Sequence, residues 1–257
     1  MTANDYRKAE GLSRSELWVM SKTPFHFHYA QTHSEEKETE ALRFGTAAHK
    51  FILEEEDFFD EYAIAPKLDR RTKEGKETWK ALEETGKTVL TVDELEVLKE
   101  MKASIDAVPL ARELLQGEHE QSFFWTDAET GIKCKIRPDC LTEKDGKFFC
   151  IDYKTTDSCA DGHFERSVRK YGYKLQAGMY TEGLFQTTLE EWQFGFVVQE
   201  KAAPYAVRVY LCSPDFTAEG VDMFREYIGL VKQCESTGQW YGYEGPFGEP
   251  GELVGEE

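Results

Sequence analysis

The sequence predicts one α/β domain with a mainly helical N-terminal portion. Three observations predict it. Apolar residues recur at helical spacing behind capping signals through the first part of the chain. From Gln121 the pattern changes to alternation with a period of two. Helices and strands then interleave up to about Ser236, the pattern of an α/β core. At 257 residues a single sizeable core is within reach. The expected organisation is one domain over residues 1–247, helical over 1–110 and α/β over 118–237. Residues 248–257, rich in Gly, Pro and Glu, read as a flexible acidic tail.

The elements follow in order. Ser13 and Glu16 form a capping-box pattern ahead of Leu17, and that helix should stop before Pro24. Thr23 then caps a second short helix with Pro24 at its first position. Ala41 to Glu54 reads as a longer helix that sets Leu42, Gly45, His49 and Ile52 on one face. Thr91 and Glu94 cap another, with Leu95, Leu98, Met101, Ile105 and Val108 as its apolar stripe. Strands are expected at Gln121–Thr126, Ile132–Asp139 and Phe148–Lys154. A helix from Tyr173 to about Phe185 precedes strands at Glu191–Val198 and Ala206–Leu211. Ser213-Pro214 opens a final helix to about Ser236, with Phe216, Phe224, Ile228 and Val231 inward.

Composition narrows the classes of function. No stretch approaches the roughly 18 apolar residues of a membrane helix, so no membrane association is expected. The N-terminus lacks an apolar h-region, and the expected location is cytoplasmic. Six cysteines lack any Cys-x-x-Cys spacing, which argues for reduced structural residues over a zinc or iron–sulfur site. A formal net charge of −18 argues against indiscriminate adhesion to nucleic acid, while leaving room for a locally basic surface.

The most informative geometry starts at Lys144-Asp145-Gly146-Lys147. Asp-Gly between strand-like runs signals a two-residue hairpin loop. If Lys144 pairs with Lys147, counting outward sets Asp139 opposite Asp152, with Cβ atoms about 4.5–5.5 Å apart. Two carboxylates so placed repel each other unless a cation lies between them, and magnesium takes hard oxygen ligands. Lys154 points to the same face as Asp152. Arg137, Lys135 and Lys133 would continue that face as a basic track suited to a phosphodiester backbone. A solvated hairpin with alternating charges produces the same pattern, and a slip in register would part the two acids.

Arg137-Pro138-Asp139 followed by Asp152-Tyr153-Lys154 resembles the PD-(D/E)xK nuclease signature. Gly45-Thr46-Ala47-Ala48-His49 and Gln176-Ala177-Gly178-Met179-Tyr180 resemble the flanking Gly-x-x-x-His and Gln-x-x-x-Tyr motifs of its RecB-like branch. The similarity is greatest to the nuclease domain of the RecE-type exonucleases (exonuclease VIII). It extends through Leu12-Ser13-Arg14-Ser15-Glu16-Leu17, Arg70-Arg71-Thr72 and Asp152-Tyr153-Lys154-Thr155-Thr156, covering residues 11–200 or so.

The resemblance implies a restriction-endonuclease-like core built on a central mixed β-sheet. It implies that helices flank this sheet, and that Asp139 and Asp152 bind the metal, with the Tyr153 carbonyl as a further ligand. Lys154 resembles the lysine that orients or deprotonates the attacking water. Glu120 resembles the acid from the preceding strand, and His49 the helix histidine that approaches the metal. Gln176 and Tyr180 resemble the pair that packs beside the lysine and steers the DNA strand. Arg70, Arg71, Lys73 and Lys76 lie where the family keeps Arg-Arg-Thr and, with Arg137 and Lys135, are the expected DNA contacts.

Without the resemblance, His49 reads as a core histidine, Glu120 as a solvated strand-end acid, and Gln176 and Tyr180 as helix packing. The implied activity is a magnesium-dependent 5′-to-3′ exonuclease on linear double-stranded DNA, with manganese a substitute metal. It would release mononucleotides and leave a 3′ single strand for recombination or repair. The implied partners are DNA ends, a RecT-type single-strand annealing protein, and further copies of the chain in a homo-oligomeric ring. Two rivals remain, a single-strand-specific or endonucleolytic enzyme of the same fold and a non-catalytic module that binds DNA ends. A cysteine-dependent enzyme has little support, since no Cys–His arrangement is legible.

Overall fold

The computed structural model describes residues 1–33, 39–69, 71–248 and 250–251. The N-terminal portion holds α1 (Ala3–Lys8), α2 (Arg14–Trp18), α3 (Pro24–Thr32) and α4 (Glu40–Leu53). The Ser13–Glu16 capping box closes in both directions, and Thr23 caps α3 with Pro24 in its first turn, as expected. The short α5 (Phe58–Glu61) leads into β1 (Tyr62–Ala65), α6 (Lys73–Glu83) and β2 (Thr88–Thr91). β1 and β2 pair in parallel as a small separate sheet, with Tyr62 opposite Thr88. The sequence pattern missed this unit, because four-residue strands carry too few alternations to register. The second capping box, Thr91 with Glu94, starts α7 (Val92–Asp106), followed by α8 (Pro109–Leu114).

The core then consists of β3 (Glu118–His119), β4 (Phe123–Thr126), β5 (Lys133–Ile136), β6 (Cys140–Lys144) and β7 (Lys147–Thr156). After them come α9 (Asp161–Tyr171), α10 (Tyr173–Thr188), β8 (Trp192–Glu200), β9 (Val207–Leu211) and α11 (Pro214–Thr237). The main sheet has the order β3-β6-β7-β8-β9 and is mixed: β7 and β8 run parallel, and the other neighbours are antiparallel. The parallel pair needs a crossover, and α9 with α10 supplies it. Strand residues alternate between two cores. Cys150, Phe194, Phe196 and Val198 pack with α10 and α11, while Phe149, Ile151, Tyr153 and Val197 pack with α4, α7 and α8. The six cysteines are buried free thiols.

One expected strand divides in two. Ile132–Asp139 does not run through: β5 ends at Ile136 and pairs with β4 and, by a parallel bridge at Cys134, with Leu12, and β6 begins at Cys140 in the main sheet. Pro138 sits at the break, where it has no N–H to donate to a ladder. The basic track is therefore not a stripe on one face. Lys135 is 4% exposed, with its ammonium on the carbonyls of Arg7 and Ala9. Arg137 is occupied by Glu120, Ser122 Oγ and the Met1 carbonyl, and Lys133 by Glu10. The hairpin itself forms with Lys144 opposite Lys147, and Asp145 and Gly146 at φ 52° and 72°, the left-handed values of a tight turn.

Candidate metal centre and active site

The last ladder pair of the hairpin is Cys140 with Ile151, so the next step outward sets Asp139 beside Asp152. Asp152 lies in β7 at 3% exposure. Its Oδ1 accepts a hydrogen bond from Gln176 Nε2 on α10 at 2.5 Å. Its Oδ2 lies 2.5 Å from Lys154 Nζ in an ion pair, but takes no hydrogen bond of acceptable angle. Lys154 leans over the ring of Tyr173 at 4.9 Å. Asp139 accepts the Tyr153 N–H at 2.8 Å, and His49 Nδ1 stands 3.5 Å from the same oxygen. Between the two functional residues of β7, Tyr153 points to the opposite face. Its hydroxyl donates to Gln199, whose amide reaches the Met101 carbonyl on α7.

Glu120 adds a third carboxylate. It has a positive φ of 53°, an uncommon conformation for a residue with a side chain, and its N–H bonds the Asp139 carbonyl. Ligand atoms of His49, Glu120 and Asp139 lie within 4.8 Å of one another. Residues from α4, the end of β3 and the start of β6 are thus brought together, beside Asp152 and Lys154. Tyr180, one turn beyond Gln176, packs on Phe194, with its hydroxyl 3.5 Å from the Arg137 carbonyl.

The electrostatics favour a cation. Burial, then the neighbouring Asp152, push the Asp139 carboxyl well above the usual range. Burial likewise raises Glu120, although Arg137 works against it. Burial, then the Lys154 ammonium, lower His49 to about 4, so its imidazole is neutral and free to act as a ligand near pH 7. For Lys154 burial acts downward, but the carboxylates of Asp152 and Asp139 outweigh it and hold the ammonium above its ordinary value. A neutral imidazole, clustered carboxylates and one buried carboxylate oxygen without a hydrogen bond make a donor set that fits a hard divalent cation.

A protein-family profile described as a PDDEXK-like domain of unknown function (DUF3799) matches residues 13–246. The chain belongs to this PDDEXK-like family. A solved structure described as a "Putative exonuclease" from Eubacterium rectale is similar at 16% identity, with a TM-score of 0.63. The match covers 100% of this chain and 95% of that one, and at that identity it speaks for a shared fold alone. A second structure, described as SSO0001, is 15% identical over 83% of this chain and 84% of its own, with a TM-score of 0.32, too low to argue from. No curated protein matches the chain. The mixed sheet, the PDDEXK-like profile and the acidic cluster agree on a nuclease-type domain.

Some expected site residues stand apart from the centre. Arg71 is exposed at the approach to α6, Lys73 and Lys76 are exposed on its first turns, and Arg70 lies outside the described residues. The tail expectation also falls mostly outside them. Among the described residues no helix is long and apolar enough to cross a membrane. The thiols of Cys134, Cys140 and Cys212 are pushed up to about 12 by burial, which removes the chemistry a cysteine enzyme needs.

The structure adds partners that the sequence pattern did not mark. Arg14 on α2 bonds Gln176 Oε1 and the Tyr171 carbonyl, so a capping-motif residue braces the amide that holds Asp152. Its place within Ser13-Arg14-Ser15 carried no sign of a partner 162 residues away.

Proposed function

We propose that the chain is a magnesium-dependent exonuclease that degrades linear double-stranded DNA from 5′ ends and leaves 3′ single strands. The observation that carries this reading is the convergence of His49, Glu120 and Asp139 beside the Asp152–Lys154 pair. Asp139, Asp152, Glu120, His49 and the Tyr153 carbonyl would hold the metal, and manganese would serve in the same donors. When bound, the metal lowers the pKa of a coordinated water and neutralises charge on the transferring phosphate.

The residues supply the rest. Lys154, fixed by Asp152 and the Tyr173 ring, places an ammonium where it can hydrogen-bond the attacking water and hold it in line. Gln176 fixes the rotamer of Asp152 and is itself fixed by Arg14. The polarity of digestion, the restriction to duplex ends, a ring of identical subunits and a single-strand annealing partner rest on the RecE-type resemblance. They are part of the proposal.

The test uses linear duplex, circular duplex and single-stranded DNA with magnesium, each with wild type and Asp152→Ala. Linear duplex labelled at either 5′ or 3′ ends should lose nucleotides from the 5′ ends, and only with wild type. Cutting of the circle would overturn the exonuclease reading, and full activity of the variant would overturn the site.

A further inference from the structure

The basic residues first expected to carry DNA are in part turned inward, yet a different cationic face lies on the helix that leads into the metal centre. It is on α9, the crossover helix that the sequence pattern did not reveal. α9 is amphipathic: Phe164 is buried and Val168 packs on the same core at i+4. Arg166, Arg169 and Lys170, at i, i+3 and i+4, share the exposed side. Among the described residues none of the three forms an ion pair. Arg166 reaches only His163 at 3.5 Å, and Lys170 lies over the Tyr171 ring at 5.0 Å. Of the flanking charges, Asp161 pairs with Arg208 and Lys174 with Glu219, while Glu165 on α9 is exposed and lies beyond ion-pair distance of the three cations. In a chain of net charge −18, three adjacent cations without carboxylate partners stand out.

This face is tied directly to the centre. Gly172, at φ 67°, ends α9 in the left-handed conformation and turns the chain at once into α10. A Cβ there would come 2.4 Å from the Trp18 ring, so glycine is required both by the turn and by the contact with α2. One residue on, Tyr173 carries the Lys154 ammonium above its ring. Arg14 bonds the Tyr171 carbonyl with one arm of its guanidinium and Gln176 with the other. The cationic end of α9, Gln176 and Asp152 are thereby joined through Arg14 and a single tight turn.

We infer that Arg166, Arg169 and Lys170 form the phosphate-binding face that holds the DNA strand whose scissile phosphate enters the metal centre. This rests on the nuclease reading above and names the surface that delivers its substrate. Charge complementarity and continuity with the centre select a phosphodiester backbone as the occupant. A purely structural role is the competing account, because Arg169 and Lys170 also lie in the last turn, where cations favour the helix dipole.

The experiment combines Arg166→Gln, Arg169→Gln and Lys170→Gln and follows digestion of a fluorescent duplex across a salt series. With a substrate strand lost from this face, KM should rise about tenfold, while kcat is kept and thermal stability changes little. The slope of log affinity against log salt should flatten by about 2–3, since each phosphate contact contributes about 0.9. The pair Lys147→Gln, at the hairpin turn, and Lys232→Gln, on α11, both exposed, serves as the matched control and should leave that slope close to wild type. An unchanged KM and salt slope in an active triple variant would overturn the α9 face while leaving the nuclease reading intact. Wild type that neither binds nor cuts DNA would overturn both. If the triple variant is poorly folded, the three single variants decide, each expected to flatten the slope by about 0.9.

Discussion

The substitution Asp139→Asn tests the physical core of the site. An asparagine can keep the oxygen that accepts the Tyr153 N–H while it removes the charge and turns the second oxygen into an NH2 group. Two carboxylates about 5 Å apart repel by about 3 kcal/mol at an effective dielectric near 20. Lys154 pairs with Asp152 and offsets part of this, leaving a net relief on the order of 1–2 kcal/mol. At about 2–4 °C per kcal/mol for a domain of this size, the metal-free variant should melt a few degrees above wild type.

Magnesium should reverse the order. At a hundredfold excess over Kd, a bound ion adds about 2.7 kcal/mol, so wild type should gain roughly 5–10 °C and the variant much less. The pH dependence has a defined sign. The native Asp139 pKa is raised above 3.8, so over the window above 3.8 the native state holds the extra proton and wild-type stability falls as pH rises. The variant's advantage is therefore present at neutral pH and vanishes below about pH 4. His49 acts oppositely in both proteins. With a native value of about 4 against 6.5, it costs stability as pH falls through that interval, and it largely cancels in the difference. Thermal melts in chelator and in magnesium, at several pH values, read all of this. A variant that melts several degrees below wild type in chelator at pH 8, or that keeps the full magnesium response, would refute the reasoning.

Other substitutions separate holding the metal from holding the fold. Gln176→Leu strips the hydrogen bond from buried Asp152 Oδ1, and kcat should fall about 10- to 100-fold with KM little changed, as steady-state kinetics would show. Tyr153→Phe removes the hydroxyl that Gln199 accepts from; urea unfolding should register a loss of about 1–3 kcal/mol, while activity survives, because the proposed metal ligand at this residue is its carbonyl. Gly178→Ala would force a Cβ to 2.0 Å from the Gly220 backbone where α10 crosses α11. Denaturation should show a loss of about 1–3 kcal/mol or more, with catalysis per folded molecule unchanged.

The parts of the fold legible in the sequence were those governed by local rules. Both capping boxes, Pro24 at a helix start and the Asp145-Gly146 turn depend on a few neighbouring residues, and each forms as read. The turn then fixes a register, so even the approach of Asp139 to Asp152 could be counted from it. Long-range effects were not legible. Lys135 looked solvent-facing by alternation, but the backbone carbonyls of Arg7 and Ala9 fold over it and replace its water. α9 was missed because its sequence is polar except for Phe164 and Val168, giving too narrow an apolar stripe to stand out. The role of Arg14 depends on two atoms supplied by residues more than 150 positions away.

Those failures have a common physical origin, and it bears on how an acidic chain can handle an acidic substrate. Alternation assigns a face to a side chain but not a partner, and a cation acts on distant phosphate only if no nearer anion has claimed it. Arg137 and Lys133 are claimed by Glu120 and Glu10, and Lys135 by carbonyls, so their formal charge is largely spent within the protein. The claim on Arg137 is also useful at the centre. It stands against Glu120, whose carboxylate would otherwise meet Asp139 and Asp152 with no cation but Lys154 nearby. On α9 the cations form no ion pair among the described residues, Glu165 of the same helix included, and Asp161 and Lys174 are each neutralised by another element. The overall charge of −18 therefore says little about the surface beside the metal centre. What counts there is which cations the fold leaves without an anion, and that can be decided only once the elements are packed.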